Sequence, residues 1–162
     1  MNWDAIAAIA ELLASLGVIV SLIYLATQIR HQRSESLLAA GHEFSAQINE
    51  LYSVLSESAE FADIFLRGIA DYHSLEIVEK ARFSSFFARL MRIMESMYSR
   101  YRQNLLDPTI WPSYEESMRD YFGNAGLQDW WASRSHWFTP EFREFVSGCI
   151  ASSRGSNLFD VD

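Results

Sequence analysis

Residues 11–29 read ELLASLGVIVSLIYLATQI and form the most apolar stretch of the chain. The wider range 5–29 contains only one charged side chain, Glu11. About 20 mainly apolar residues are enough for a helix to cross a hydrocarbon core of about 30 Å. The side chains of Ser15 and Ser21 are the only polar ones between positions 12 and 24, so no water-facing stripe is evident. This pattern favours a transmembrane helix over a buried core helix.

Positive charge gives this helix a direction. The first basic residues of the chain are Arg30 and Arg33, at the C-terminal end of the apolar stretch. Such residues collect on the cytoplasmic side of a membrane, so a single-pass protein with its N-terminus outside is expected. No basic segment precedes the stretch, so we expect it to be retained rather than cleaved as a secretory signal. We divide the chain into a transmembrane helix with a basic end (1–33), a cytoplasmic helical domain (34–152) and a flexible tail (153–162).

Apolar residues recur at helical spacing almost throughout the rest of the chain, and alternating strand patterns are absent. The predicted fold class is therefore all-α: an N-terminal transmembrane helix that continues into a small cytoplasmic helical bundle. The first helix is expected to run to about Ser56. Ser74 is expected to act as the N-cap of a long helix that ends near Leu106. The other predicted helices cover about 60–70, 113–123, 127–135 and 140–152.

Charge is uneven along the chain, which carries a formal net charge of −8. This balance argues against nucleic acid as a partner. Residues 80–102 carry six basic side chains and one acid, whereas 35–63 is acidic. We expect these two segments to pair as antiparallel helices. A patch for anionic lipid or a protein partner is the alternative. The basic residues are Lys80, Arg82, Arg89, Arg92, Arg100 and Arg102.

Local signatures of catalysis are missing from the sequence. It has no GxGxxG, GxxxxGK[ST], HExxH, CxxC or GxSxG motif. No two of its four histidines lie three or four positions apart, so neither a helical metal site nor a cofactor is predicted. The single cysteine, Cys149, is expected to be a buried and inert thiol. We therefore expect a protein that is not an enzyme.

One side of the predicted transmembrane helix carries small residues at a spacing of three or four. Small side chains let a second helix approach closely, which predicts self-association or docking to another membrane protein. Glu11 neighbours this side. If several copies pack through this side, the Glu11 carboxylate is a candidate for a charged ring near a pore. The alternative is that Glu11, near the outer boundary of the membrane, only reaches the headgroups. The small residues are Ala7, Ala10, Ala14, Gly17 and Ser21.

A cluster of aromatic and basic residues lies late in the chain. Trp and Arg are enriched at binding hot spots, so these residues are a candidate ligand or partner pocket. The alternative is that the large rings close the core of the domain while the arginines stack on them. The candidate pocket residues are Trp130, Trp131, Arg134, His136, Trp137 and Arg143.

Three segments resemble a group of uncharacterised bacterial proteins with one N-terminal transmembrane helix and a small helical domain. They are MNWDAIAAIAELLASLGVIVSLIYLATQIR, FADIFLRGIAD and the late WW…HWFTPEFREFV. The resemblance implies a protein of the bacterial inner membrane and assigns no catalytic residue.

The function expected from the sequence is that of a membrane-anchored helical protein. It would act by self-assembly or as an accessory or scaffold subunit of a membrane complex. Its expected partners are the lipid bilayer and either further copies of itself or another membrane protein. The first alternative is an oligomeric channel or transport-related protein with Glu11 near the pore. The second is a ligand sensor or enzyme with its site around Trp131, Arg134 and His136.

Overall fold

The computed structural model describes residues 3–153, without the side chains of 4–10, 12–14, 33 and 34. Every regular element in this range is helical, so the predicted all-α class is confirmed. Two short 3₁₀ turns, Tyr72–Ser74 and Ser135–Trp137, accompany the α-helices. In chain order the helices are α1 (Trp3–Glu57), α2 (Ala59–Ala70), α3 (Ile77–Arg102), α4 (Trp111–Phe122), α5 (Ala125–Arg134) and α6 (Pro140–Ser152).

The chain divides into two units, one up to Ala39 and one from Ala40 onward. The first unit contains the N-terminal part of α1, which includes the predicted transmembrane helix. Among the side chains that the structure describes, no helix combines the length and the apolar character needed to cross a membrane. The side chains at 5–10 and 12–14, which belong to the predicted membrane segment, lie outside the described residues.

The second unit has an aromatic core centred on α3. Phe83, Phe87, Leu90 and Met97 are fully buried, as their spacing on one face of α3 predicts. The C-terminal part of α1 adds a stripe of buried side chains, and α4, α5 and α6 contribute large rings. The stripe on α1 consists of Ala40, Phe44, Ile48 and Leu51, and the rings are Trp111, Phe122, Trp130 and Phe142.

The ends of α3 differ from the prediction for physical reasons. Ser74 is not the N-cap, because it lies within the 3₁₀ turn that follows Asp71. Glu76 takes that role and forms a reciprocal capping box with Glu79. The helix ends at Arg102 rather than near Leu106, since Asn104 adopts the left-handed conformation with a φ of 56°.

Helices α2 and α5 approach closely at two glycines. A methyl group added to Gly126 would lie 2.1 Å from the carbonyl oxygen of Gly68 and 2.8 Å from that of Ile69. A methyl group on Gly68 would lie 2.3 Å from the ring of Phe83. Only glycine therefore fits at either position, which fixes how α2 and α5 meet above α3.

Candidate functional site

The basic residues of α3 divide into two sets with different surroundings. In the N-terminal part of α3, Arg82 pairs with Glu60 at 2.5 Å and Arg89 pairs with Glu50 at 2.9 Å. These ion pairs join α3 to α2 and to the second half of α1. They confirm the predicted pairing of acidic and basic segments for Arg82 and Arg89, whereas Lys80 donates to the backbone carbonyl of His73 at 2.9 Å.

A third ion pair strengthens the same side of the bundle. Arg67 on α2 contacts Glu79 at 2.6 Å and Asp63 at 2.9 Å. The hydrogen bond from Arg67, together with the smaller effect of the one from the backbone N–H of Glu76, lowers the pKa of the Glu79 carboxyl to about 2. This carboxylate therefore stays charged in moderately acidic solution.

The C-terminal part of α3 carries arginines with no acidic partner. No carboxylate among the described side chains lies within 4 Å of Arg92, Arg100 or Arg102. Each guanidinium instead lies over an aromatic ring, within the distance of about 6 Å from the ring centroid at which a cation is attracted to the ring. Arg92 covers Phe138 at 5.6 Å, Arg100 covers Phe44 at 5.4 Å and Arg102 covers Tyr98 at 5.9 Å.

These arginines line a groove of about 610 Å³ between the C-terminal part of α3 and the start of α6, which we call the arginine groove. Ser96, Ser99 and Gln103 also line it, as do Glu95 and Glu141. The carboxylate of Glu95 accepts hydrogen bonds from the backbone N–H and the hydroxyl of Thr139, at 2.7 and 2.9 Å. Glu95 thus holds Thr139, the residue that precedes α6, against α3 and forms part of one wall of the groove.

A second cavity, of about 450 Å³, adjoins α4 and α6. Within it Arg119 donates one hydrogen bond to each of the carboxylates of Glu115 and Glu116, and its buried Nε has no hydrogen-bond partner among the described residues. Cys149 also lines this cavity but is buried, and burial raises the pKa of its thiol to about 11. The predicted burial of this cysteine is confirmed, and a protonated thiol is a poor nucleophile.

The residues of the predicted late pocket are split between core and surface. Trp130 and Trp131 are buried in the aromatic core. The indole N–H of Trp130 donates to the hydroxyl of Ser84 on α3 at 3.1 Å, and Trp131 packs on Phe138 with ring centroids 5.0 Å apart. Both tryptophans therefore close the bundle rather than face a ligand from solvent.

The other four members of that set lie nearer the surface. Arg134 is half-buried and lies over the ring of Trp137 at 5.2 Å, and Trp137 is 42% exposed. His136 and Arg143 are exposed. The structure thus brings Arg134, His136 and Trp137 together around one short turn, and ligand binding there stays a prediction.

The N-terminal unit presents a different kind of surface, which we call the apolar stretch (residues 15–29). All its side chains are exposed, and its large apolar members are 52–60% exposed. Its hydroxyls at Ser21 and Thr27 donate to backbone carbonyls of the same helix, at 2.8 and 2.7 Å. The large apolar members, apart from Tyr24, are Leu16, Val18, Ile19, Val20, Leu22, Ile23, Leu25 and Ile29.

The residues predicted to pack against another helix belong to this unit. Gly17 and Ser21 are exposed, and nothing lies within 4 Å of a methyl group placed on Gly17. Glu11 is exposed as well. The side chains of the other three predicted contact residues, Ala7, Ala10 and Ala14, lie outside the described residues.

Comparison with known proteins gave no match to any protein family, curated protein or solved structure. The regular elements of the described residues define an all-helical protein.

Sequence reasoning missed the division of the basic segment into two sets. Only the stacking of Arg102 on Tyr98 follows from a spacing of four on one helix. Arg92 and Arg100 find their rings on the loop before α6 and on α1, which the sequence does not place beside them. The available signal was that residues 80–102 hold six basic side chains and only one acidic one.

Proposed function

We propose that this is a membrane-anchored helical protein that acts by self-assembly or as an accessory subunit of a membrane complex. The anchor is the N-terminal part of α1, with residues 5–29 in the bilayer of the bacterial inner membrane. Arg30 lies at the cytoplasmic end, so the helical domain is cytoplasmic in this proposal. No catalytic chemistry is assigned to it.

The observation that carries the proposal is the exposure of the apolar stretch on every side. A helix that is apolar all round needs an apolar environment, which is a membrane or a large protein interior. Exposed patches of this kind on soluble proteins rarely exceed a few hundred Å². The two hydroxyls bonded to the helix's own carbonyls support lipid as the environment, because they need no partner from water.

Membrane anchoring can be tested by fractionating bacteria that express the full chain. We expect the protein in membranes after a carbonate wash that removes peripheral proteins. V20D/I23D places two charges in the apolar stretch, and each costs about 2.5–3.5 kcal/mol at a helix centre. This variant should leave the membrane fraction. Recovery of the wild type in the wash, or retention of V20D/I23D, would contradict the anchor.

A matched control is available on the helical bundle. Ile77 and Val78 at the start of α3 are 82% and 68% exposed. I77D/V78D introduces the same charges at apolar positions outside the proposed anchor, so it should stay in the membrane fraction. Loss of both double variants from the membrane would indicate a general effect of added charge instead.

Assembly requires a separate measurement. Light scattering on the protein purified in a mild detergent should give a mass above that of one chain, or a constant co-purifying protein. A monomer without any partner would contradict the assembly part of the proposal and leave the anchor untouched.

A further inference from the structure

The arginine groove is lined by three arginines and two acids, Glu95 and Glu141, and none of these arginines forms an ion pair with a described carboxylate. Elsewhere on the same helix, Arg82 and Arg89 both have acidic partners. In a chain with a net charge of −8, acids were abundant enough to pair every arginine of α3. The unpaired set is therefore a specific property of this surface.

Aromatic stacking leaves these arginines ready to bind. A ring lies beside each guanidinium, with its centroid 5.4 to 5.9 Å from the Cζ atom, and the contact uses the charge of the guanidinium rather than its N–H donors. Arg102 uses one donor on the hydroxyl of Tyr98, at 3.3 Å. For Arg92 and Arg100, the described residues contribute no hydrogen-bond acceptor. The rings thus hold the side chains in place and leave most of their donors for an anion.

Neutral donors complete the floor of the groove. Arg92, Ser96, Ser99 and Gln103 follow one face of α3 at steps of four, three and four residues. The hydroxyl of Ser99 accepts a hydrogen bond from the amide of Gln103 at 3.0 Å, which leaves its own O–H to donate. The groove extends about 12 Å along the axis between Arg92 and Arg100, from a rise of 1.5 Å per residue.

The two acids of the groove have roles of their own. Glu95 is bonded to Thr139, and Glu141 lies in the first turn of α6, where a helix favours negative charge. Arg100 and Arg102 lie in the last turn of α3, where a helix favours positive charge, and this accounts in part for their presence. It does not account for Arg92, which lies well before the end of that helix.

We propose that the arginine groove binds a ligand that carries phosphate. Arginine pairs with phosphate oxygens through two parallel N–H donors, and three unpaired guanidiniums against two acids leave a net positive charge that favours an anion. A phospholipid headgroup and a soluble phosphate compound share this chemistry. Inorganic pyrophosphate is the probe for it.

The test is calorimetric titration of pyrophosphate into the full chain, held in a neutral detergent at low salt. R92Q/R100Q removes two of the groove arginines, and R82Q/R89Q removes two paired arginines of the same helix. We expect saturable binding to the wild type, weakened about tenfold or more by R92Q/R100Q. R82Q/R89Q should bind as the wild type does. Absence of saturable binding, or equal weakening in both variants, would overturn the proposal.

Chemical modification provides a second measurement on the wild type, should R92Q/R100Q fail to fold. Phenylglyoxal reacts with accessible arginines, and mass spectrometry gives the rate at each residue. Pyrophosphate should slow the reaction at Arg92 and Arg100 and leave Arg89 unchanged. Equal rates with and without pyrophosphate at Arg92 and Arg100 would overturn the proposal.

The source of the phosphate follows from competition. If a headgroup is the natural ligand, phosphatidylglycerol added to the detergent should displace pyrophosphate, whereas phosphatidylcholine should not. If pyrophosphate binding persists in phosphatidylglycerol, the groove takes a soluble phosphate compound. Both results require the binding described above, and neither depends on whether α1 is a membrane anchor.

Discussion

Two parts of the same helix differ completely in their surroundings. In residues 15–32 of α1 every side chain is exposed, whereas residues 40–57 bury a stripe at steps of four and three. The first part is the more apolar of the two. Its exposure shows that apolar character alone does not place a side chain in this core, because burial also needs a complementary helix.

The second part meets that need through α3. Phe44, Ile48 and Leu51 belong to the core cluster with the rings of α3, and Glu50 pairs with Arg89 beside them. The polar face of this part stays in water, as expected for an amphipathic helix. The first part carries polar side chains mainly near its C-terminal end, at Thr27, Gln28, His31 and Gln32, and its apolar side chains are exposed.

The largest expected effect compares one glycine from each unit. Gly126→Ala should lower the free energy of unfolding of the bundle by about 3 kcal/mol or more, because the new methyl group overlaps backbone atoms of α2. Gly17→Ala meets nothing within 4 Å and should leave bundle unfolding unchanged. Denaturant titration followed by tryptophan fluorescence measures both. A tolerated alanine at Gly126 would mean that α2 and α5 do not cross this closely.

The next effect compares two leucines of α1. Leu51 is 2% exposed and Leu22 is 60% exposed. Leu51→Ala should destabilise the bundle by about 3 kcal/mol, from lost burial and the cavity it leaves. Leu22→Ala should leave the same transition within about 0.5 kcal/mol of wild type. Similar losses in both variants would show that the two parts of α1 share one packed environment.

A smaller effect depends on pH and concerns only the second unit. The folded protein lowers the pKa of Glu79 from 4.5 to about 2, so this carboxylate stabilises the fold fully above pH 4.5. That contribution is lost as the pH falls towards 2. The melting temperature of the wild type should therefore drop more steeply across this window than that of Glu79→Gln. Parallel curves would show that the Arg67 contact adds no stability.

The smallest effect tests a surface ion pair against an unpaired acid. Glu50→Gln should cost less than about 1 kcal/mol, because its contact with Arg89 is exposed to solvent. Glu35→Gln, in the unit before Ala40, should not change bundle unfolding. A larger loss of stability in Glu50→Gln would contradict this expectation. It would mean that the ion pair between α1 and α3 stabilises the bundle more than exposed ion pairs normally do.

Much of the fold was predictable because apolar spacing on a helix is a local property. The seam of Phe83, Phe87 and Leu90 and the end of α1 near Ser56 follow from it. The contact of Gly68 with Gly126 was not predictable, since it depends on how two distant helices cross. The prediction that Ser74 is the N-cap of α3 was wrong, because several polar residues near Ser74 compete for that role.

The candidate sites were predictable to a lesser degree. Composition drew attention to the late tryptophans, but only the packed structure shows that Trp130 and Trp131 fill the core. The arginine groove depends on which acids come near α3 in space, and residue order alone does not give that. Arg134 and Trp137 are only three positions apart, so their contact was easier to predict from the sequence.

The hydroxyl of Ser84 links α3 to two neighbouring elements. It lies 3.1 Å from the indole nitrogen of Trp130 and also 3.1 Å from the hydroxyl of Tyr72. A hydroxyl can accept from one group and donate to the other, so a single small side chain satisfies polar atoms from two neighbouring elements. Hydrogen bonds depend more strongly on direction than contacts between apolar rings do. Sliding α3 by one residue would leave the indole N–H without its acceptor, so Ser84 sets the register among its neighbours.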